Sequence, residues 1–131
     1  MALVTRDADA SIDASTAAVA PQITGLTAGE DLDAAAPCYI HTDGKVYMAD
    51  GTAADAKAVI AGFTPRAAKT GQAITLFALG ARFRYGSGLT PGAKLYVGAT
   101  KGRLDAAATT GDAVGVAQVI TTTDIRVTRA I

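Results

Sequence analysis

A layout of short β-type runs occurs twice in this chain and limits the folds that it can adopt. Between residues 24 and 64, and again between 87 and 128, a turn is followed by a strand, a glycine turn, a second strand and an apolar strand centred on glycine. Neither unit is expected to bury a core alone, so the two should pack against each other. The repeat therefore predicts one β-domain built from two similar units.

Four pairs of blocks carry this repeat: 26–29 with 89–92, 38–40 with 95–97, 43–46 with 101–104, and 60–63 with 114–116. The second pair places Tyr39 and Tyr96 at equivalent positions, and the fourth aligns Gly62 with Gly115. The offsets are 63, 57, 58 and 53 residues, which means that the loops between the blocks differ in length.

Local signals also favour strands over helices. Runs bounded by Gly, Pro, Asp and Thr turns predict strands at 37–41, 45–49, 59–64, 72–85, 94–97, 102–104, 113–120 and 124–128. Gly80 is expected to mark a bulge or bend in the longest run, and one helical turn is expected over 52–57 with Thr52 as its N-cap. Alanine is abundant but shows no apolar stripe of helical period. The predicted fold class is therefore all-β, a small β-sandwich or barrel.

The first 21 residues differ from the rest of the chain. They are rich in Ala, Asp, Ser and Thr, their apolar residues are sparse, and Pro21 ends the segment. We expect an extended N-terminal arm over 1–21, poorly packed on its own, followed by the β-domain over 22–131. Such an arm should be sensitive to proteases in the free protein and protected after assembly.

Charge is balanced in total but not along the chain. Residues 1–55 hold two basic and nine acidic groups, and residues 56–131 hold ten basic and three acidic groups, which gives −7 and +7. Either the charges intersperse on one folded surface, or faces of opposite sign meet between copies, as in a ring. The zero total argues against non-specific nucleic-acid binding, and no apolar run is long enough to span a bilayer.

Few residues are suited to catalysis or metal binding. Cys38 and His41 are three apart on a predicted strand and should point to opposite faces, so they make a poor nucleophile pair. One Cys and one His cannot build a zinc site alone. The aspartates near the N-terminus alternate like calcium ligands, but Ile12 and Ala18 stand where an EF-hand loop needs Gly and Glu. We expect no enzyme, no cofactor and no metal site; an activity dependent on Cys38 or His41 is the alternative.

The densest basic set is Arg82, Arg84, Arg126 and Arg129, and each of the first three alternates with apolar or aromatic neighbours. This pattern is typical of a solvated sheet face, or of a face that binds an acidic partner. Adding three apolar residues and one arginine of the arm gives the candidate partner contacts: Leu3, Val4, Arg6, Ile12, Arg82, Arg84, Arg126 and Arg129.

The order of blocks resembles the small head decoration proteins, or capsid cement proteins, of tailed bacteriophages. The residues that carry the resemblance are 26–30, 38–50, 59–63, 73–85, 88–97 and 111–118, so it covers about residues 24–128. These blocks are turns and strands characteristic of a fold, and none of them is a catalytic motif.

The resemblance implies a non-enzymatic virion protein, made in the host cytoplasm and bound to the outer surface of the capsid. Proteins of this family commonly form trimers at three-fold and quasi-three-fold positions, bridge neighbouring coat subunits and stabilise the filled head. The implied partners are the major capsid protein and further copies of this chain. Related β-modules occur in head-fibre and tail-fibre proteins, so host or glycan binding is the alternative function.

Overall fold

The computed structural model of the chain describes residues 2–8 and 21–131. Within these residues it contains no α-helix and ten β-strands: β1 (Gln22–Thr27), β2 (Pro37–Ile40), β3 (Val46–Met48), β4 (Gly62–Phe63), β5 (Ala73–Phe77), β6 (Arg82–Arg84), β7 (Lys94–Val97), β8 (Leu104–Asp105), β9 (Ala117–Val119) and β10 (Asp124–Val127). The predicted all-β class is confirmed.

The strands form two antiparallel sheets of five strands each. The first has the order β1-β5-β4-β2-β3 and the second has the order β6-β10-β9-β7-β8. Each sheet comes from one half of the chain, and adding five to every strand number turns the first order into the second. This arrangement is consistent with the predicted small β-sandwich of two similar units. The units span 22–77 and 82–127, wider than the expected 24–64 and 87–128, because β1, β5 and β6 also belong to them.

Strand pairing shows that one expected match is displaced by two residues. Gly62 of β4 pairs with Cys38 of β2, whereas Leu95, the equivalent of Cys38, pairs with Ala117. Gly62 therefore corresponds to Ala117 and not to Gly115. The two glycines have different roles: Gly115 has a φ of 101°, whereas a Cβ on Gly62 would lie 2.7 Å from a carbonyl oxygen of β5.

The run expected as a single strand over 72–85 is divided between the two sheets. Between β5 and β6 the Ala81 N–H donates to the Ala78 carbonyl at 3.1 Å, and Gly80 has a φ of 92°. A turn of this kind favours glycine at its third position because φ is positive there. Gly80 therefore marks the change of sheet.

The single helical turn also differs from its expected position. It is a 3₁₀ turn at Ala56–Ala58 whose N-cap is Asp55, and the Asp55 carboxylate accepts from the Lys57 N–H at 3.0 Å. Thr52 is not the cap, because its own N–H donates to the Asp50 carboxylate at 2.9 Å and closes a separate turn.

Two hydrophobic clusters hold the domain together. One lies within the first unit and includes Cys38, Val46 and Leu76, so the expectation that neither unit buries a core of its own is wrong for this unit. The larger cluster joins both units, and in it the rings of Phe63 and Phe83 have centroids 5.2 Å apart. One face of the first sheet thus covers its own core and the other face packs on the second unit.

Residues 2–8 lie on the β-domain and not away from it. Val4 is 8% exposed and its N–H donates to the Leu104 carbonyl at 2.9 Å, while Leu3 forms an antiparallel bridge with Asp105. This part of the expected arm is therefore packed along β8, because Val4 contributes to the shared core. Met1 and residues 9–20 of the expected arm lie outside the described residues.

Candidate functional site

A single row of polar side chains crosses four strands of the second sheet. The register pairs Arg82 of β6 with Arg126 of β10, Arg126 with Gln118 of β9, and Gln118 with Lys94 of β7. Residues paired directly on neighbouring strands project from the same face of a sheet. These four residues, named here the cationic row, thus place three cations and one amide side by side.

The row faces outward because the side chains along each of its strands alternate between the core and the solvent. Phe83, Leu95, Ile125 and Val127 point into the core and are almost completely buried. The alternation expected from the sequence for β6 and β10 is confirmed, and it leaves Arg126 and its neighbours in the row on the outer surface.

The cations of the row are unequally compensated. The Arg82 Nε atom pairs with Asp124 Oδ2 at 3.1 Å. Arg126 donates from Nε and Nη2 to the neutral Gln118 Oε1 atom, at 3.1 and 2.8 Å. Within residues 2–8 and 21–131, neither Arg126 nor Lys94 forms an ion pair.

A depression of about 360 Å³ lies at the Lys94 and Arg126 end of this face. Arg129 borders it and pairs with the buried Asp112, Nη2 to Oδ1 at 2.6 Å. Val114 borders it as well and is 62% exposed, which is a large exposure for an apolar residue. The depression therefore combines three cations with an exposed apolar side chain.

The repeat shows what this face does in the first unit. Phe63 pairs with Phe77 where Gln118 pairs with Arg126 in the second unit. Both phenylalanines are buried in the cluster that joins the units. The same face is thus a packing surface in the first unit and an exposed, charged surface in the second.

Four of the eight candidate contacts from the sequence lie together on this face: Arg82, Arg84, Arg126 and Arg129. Arg84 also reaches the N-terminal segment, where its Nε donates to Asp7 Oδ2 at 3.0 Å. Pairing across strands brings in Lys94 and Gln118, which sequence reasoning missed. Their signal was the alternation of polar and apolar residues in β7 and β9, but alternation alone does not give the register between strands.

The other four candidates lie elsewhere. Val4 is buried in the shared core, so it is not available to a partner in this conformation. Leu3 is 38% exposed, and Arg6 pairs with Asp33 at 3.0 Å on another part of the surface. Ile12 lies outside the described residues.

The residues considered for catalysis remain apart. Cys38 is fully buried, its Sγ donates to the Ala36 carbonyl at 3.4 Å, and burial raises the pKa of its thiol. His41 is exposed, and its ring meets those of Tyr39 and Tyr47 edge-on, with centroids 6.0 and 5.5 Å away. In the part of the chain that the structure describes, no three potential ligand side chains group to hold a metal ion.

The acidic and basic halves of the sequence meet within one chain. Of six ion pairs among the described residues, three join a residue of 1–55 to one of 56–131: Asp7–Arg84, Glu30–Lys101 and Asp31–Lys69. This supports the interpretation that the charges intersperse on one surface. Among the described residues, cations outnumber anions on the outer face of the second sheet.

None of the described residues belongs to a helix with the length and apolar character needed to cross a membrane. No protein-family model matches the chain, and no curated protein matches it.

Proposed function

We propose that this chain is a non-enzymatic structural protein of a tailed-phage particle. It binds the outer surface of the capsid, acts as trimers, bridges coat subunits and stabilises the filled head. The observation that carries the proposal is the outer face of the second sheet, which is exposed and cationic where its repeat equivalent is buried as a packing surface.

The physical properties of this face suit a contact repeated many times on a shell. Hydrogen bonds to Asp124, Gln118 and Asp112 hold three arginines in place before any partner arrives, which lowers the entropy lost on binding. A modest contact is sufficient on a lattice, because linked copies convert weak binding into strong avidity. The resemblance of residues 24–128 to capsid decoration proteins gives the type of partner.

Co-sedimentation with filled heads that lack this chain tests the proposal. The wild-type chain is expected to bind, and the decorated heads should retain their DNA at higher temperature and lower salt than bare heads. Reversing two charges of the face, as in K94E/R126E, should weaken binding. K57E/R66E, which reverses two exposed charges on the first unit, is the matched control. A wild-type chain that does not sediment with heads would disprove the function.

Glycan binding by a fibre module is the second candidate, and one cluster favours it. Tyr39 and Tyr47 are stacked with centroids 5.9 Å apart, His41 lies against both, and Asp43 accepts from the Tyr47 hydroxyl at 2.5 Å. Tyr39 is 7% exposed, so the ring available to a sugar is that of Tyr47, which combines an apolar face with a polar edge beside the Asp43 carboxylate. A glycan screen in which binding is present in the wild type and lost in Y47A would favour this function over capsid decoration.

A further inference from the structure

We propose that the depression at the end of the cationic row binds the carboxylate side chains of an acidic segment of the partner protein. The inference rests on the proposed function, because it names the chemistry of the surface that this chain would contact. Beside the depression, the guanidinium groups of Arg126 and Arg129 are each fixed by two hydrogen bonds.

Arg126 is held along one edge of its guanidinium group. Both Nε and Nη2 donate to the same atom, Gln118 Oε1. A guanidinium has five N–H groups in one plane, so the edge that carries Nη1 remains available on this exposed side chain. That edge has the fork geometry that binds a carboxylate through two parallel hydrogen bonds.

Arg129 is held in the same manner by different partners. Its Nε donates to the Gly115 carbonyl at 3.1 Å and its Nη2 donates to Asp112 Oδ1. Asp112 also accepts from the Val97 N–H at 2.9 Å, so this buried carboxylate is fixed by the backbone. Asp112 therefore orients Arg129, whose side chain remains 41% exposed.

The remaining boundary of the depression favours a protein segment over a nucleic acid. Lys94 adds a third cation, and Val114 adds an exposed apolar surface beside the cations. An extended segment with alternating acidic and apolar side chains matches both features. A nucleic-acid backbone supplies the anions but has no apolar side chains for Val114.

The partner is inferred to be a different protein and not a second copy of this chain, because the acidic residues on the described surface of the first unit have cations beside them. Glu30, Asp31 and Asp33 each form an ion pair within the chain. Asp43 and Asp55 each have a lysine two residues further along. Within residues 2–8 and 21–131, the outer face of the second sheet thus has an excess of cations without a matching excess of anions on another face.

A titration followed by NMR, with isotope-labelled protein, tests the site. The probe is a capped peptide of alternating Glu and Val residues, and the same peptide with Lys in place of Glu is the control. The Glu peptide is expected to shift the Arg126 and Arg129 Nε–H signals and the backbone amides of 114–118, and to bind more weakly as salt increases. R126Q should weaken binding about tenfold or more, whereas R66Q should not.

The substitution Q118L tests the positioning of Arg126, since it removes the acceptor and leaves the guanidinium group in place. Binding should weaken while the charge is unchanged. Equal binding of the Glu and Lys peptides, or shifts on another surface, would overturn the proposal. Binding of inorganic sulfate or a DNA oligonucleotide as tight as that of the Glu peptide would overturn its specificity for carboxylates.

Two further outcomes separate this inference from the proposed function. If the wild-type chain and R126Q sediment with heads equally well, the proposed function stands and the carboxylate site is disproved. If the wild-type chain binds the Glu peptide as expected but does not bind heads, the carboxylate site stands and the proposed function is disproved. Self-association of the free protein that is abolished by R126Q would show that the partner at this site is a second copy.

Discussion

Arg82 lies directly across from Arg126 on neighbouring antiparallel strands, so two positive charges occupy one cross-strand pair. Like charges at this position destabilise a sheet, whereas opposite charges or β-branched residues stabilise it. Asp124 offsets the charge of Arg82, but Arg126 contacts only a neutral amide among its described hydrogen-bond partners. A local cost of this kind, in a sheet that otherwise follows the rules of alternation, is expected at a functional surface.

Replacing Arg126 by Thr should therefore stabilise the isolated protein. We expect the free energy of unfolding to rise by about 0.2–1 kcal/mol, because the repulsion is removed and Thr suits a strand. Denaturant unfolding at low and high salt measures this, and the gain should shrink as salt screens the charges. R66T, at an arginine without a cross-strand partner, is the control; a loss of stability in R126T at both salt concentrations would contradict the explanation.

Phe63 should be the residue whose truncation most weakens the contact between the two units. It is fully buried and its ring lies against that of Phe83. We expect F63A to lower the free energy of unfolding by about 3–5 kcal/mol, and F63L to cost less because it keeps most of the apolar contact. Denaturant unfolding gives both values. A loss of less than about 1 kcal/mol in F63A would show that Phe63 does not hold the two units together.

Truncating Val4 should destabilise the domain even though this residue lies near the chain terminus. Its side chain is buried in the shared core, so V4A is expected to lower the free energy of unfolding by about 1–3 kcal/mol. The neighbouring L3A is the matched control, because Leu3 is more exposed and should cost less. Thermal and denaturant unfolding measure the stability of both variants. If neither substitution changed it, the N-terminal segment would not be docked on the domain.

The hydrogen bond between Tyr47 and Asp43 should be visible in a pH titration. The Tyr47 hydroxyl, followed by the Lys45 N–H, lowers the pKa of Asp43 below its ordinary value. A carboxyl whose folded pKa is depressed stabilises the fold above its unfolded pKa and loses that contribution as pH falls through the folded pKa. NMR titration should show the Asp43 pKa rising toward its ordinary value in Y47F; an unchanged pKa would argue against the bond.

The thiol of Cys38 should be inert in the native protein. It is fully buried, and burial raises the pKa of the thiol, so the reactive thiolate is scarce near neutral pH. An aromatic disulfide reagent at about pH 8 is expected to label no thiol in the folded protein and one after unfolding. Rapid labelling of the native protein would reopen the possibility of an activity that depends on Cys38.

Several elements could be read from the sequence because they depend on neighbours along the chain. The hairpin of β2 and β3 follows from its Asp43-Gly44 turn, and Gly44 has the expected positive φ of 81°. The outward direction of Arg82 and the inward direction of Phe83 follow from the two-residue period of a strand. The repeat was visible because these local patterns occur twice in the same order.

Contacts between distant residues decided the rest. The displaced match of Gly62 and the division of the run over 72–85 depend on which strands pair and in which register. The docking of Val4 on β8 depends on a core that forms 100 residues further along the chain.

Local pattern and composition predict the β-class, the presence of two similar units, the faces of the strands and the concentration of basic residues in the second half. The cationic row, by contrast, exists only in the folded chain, because Arg82, Lys94, Gln118 and Arg126 come from four strands and become neighbours through the register alone. Folding also joins the acidic and basic parts of one chain, in three of the six ion pairs among the described residues. The physical reason is that hydrogen-bonded pairing of strands brings together charges that sequence order keeps apart.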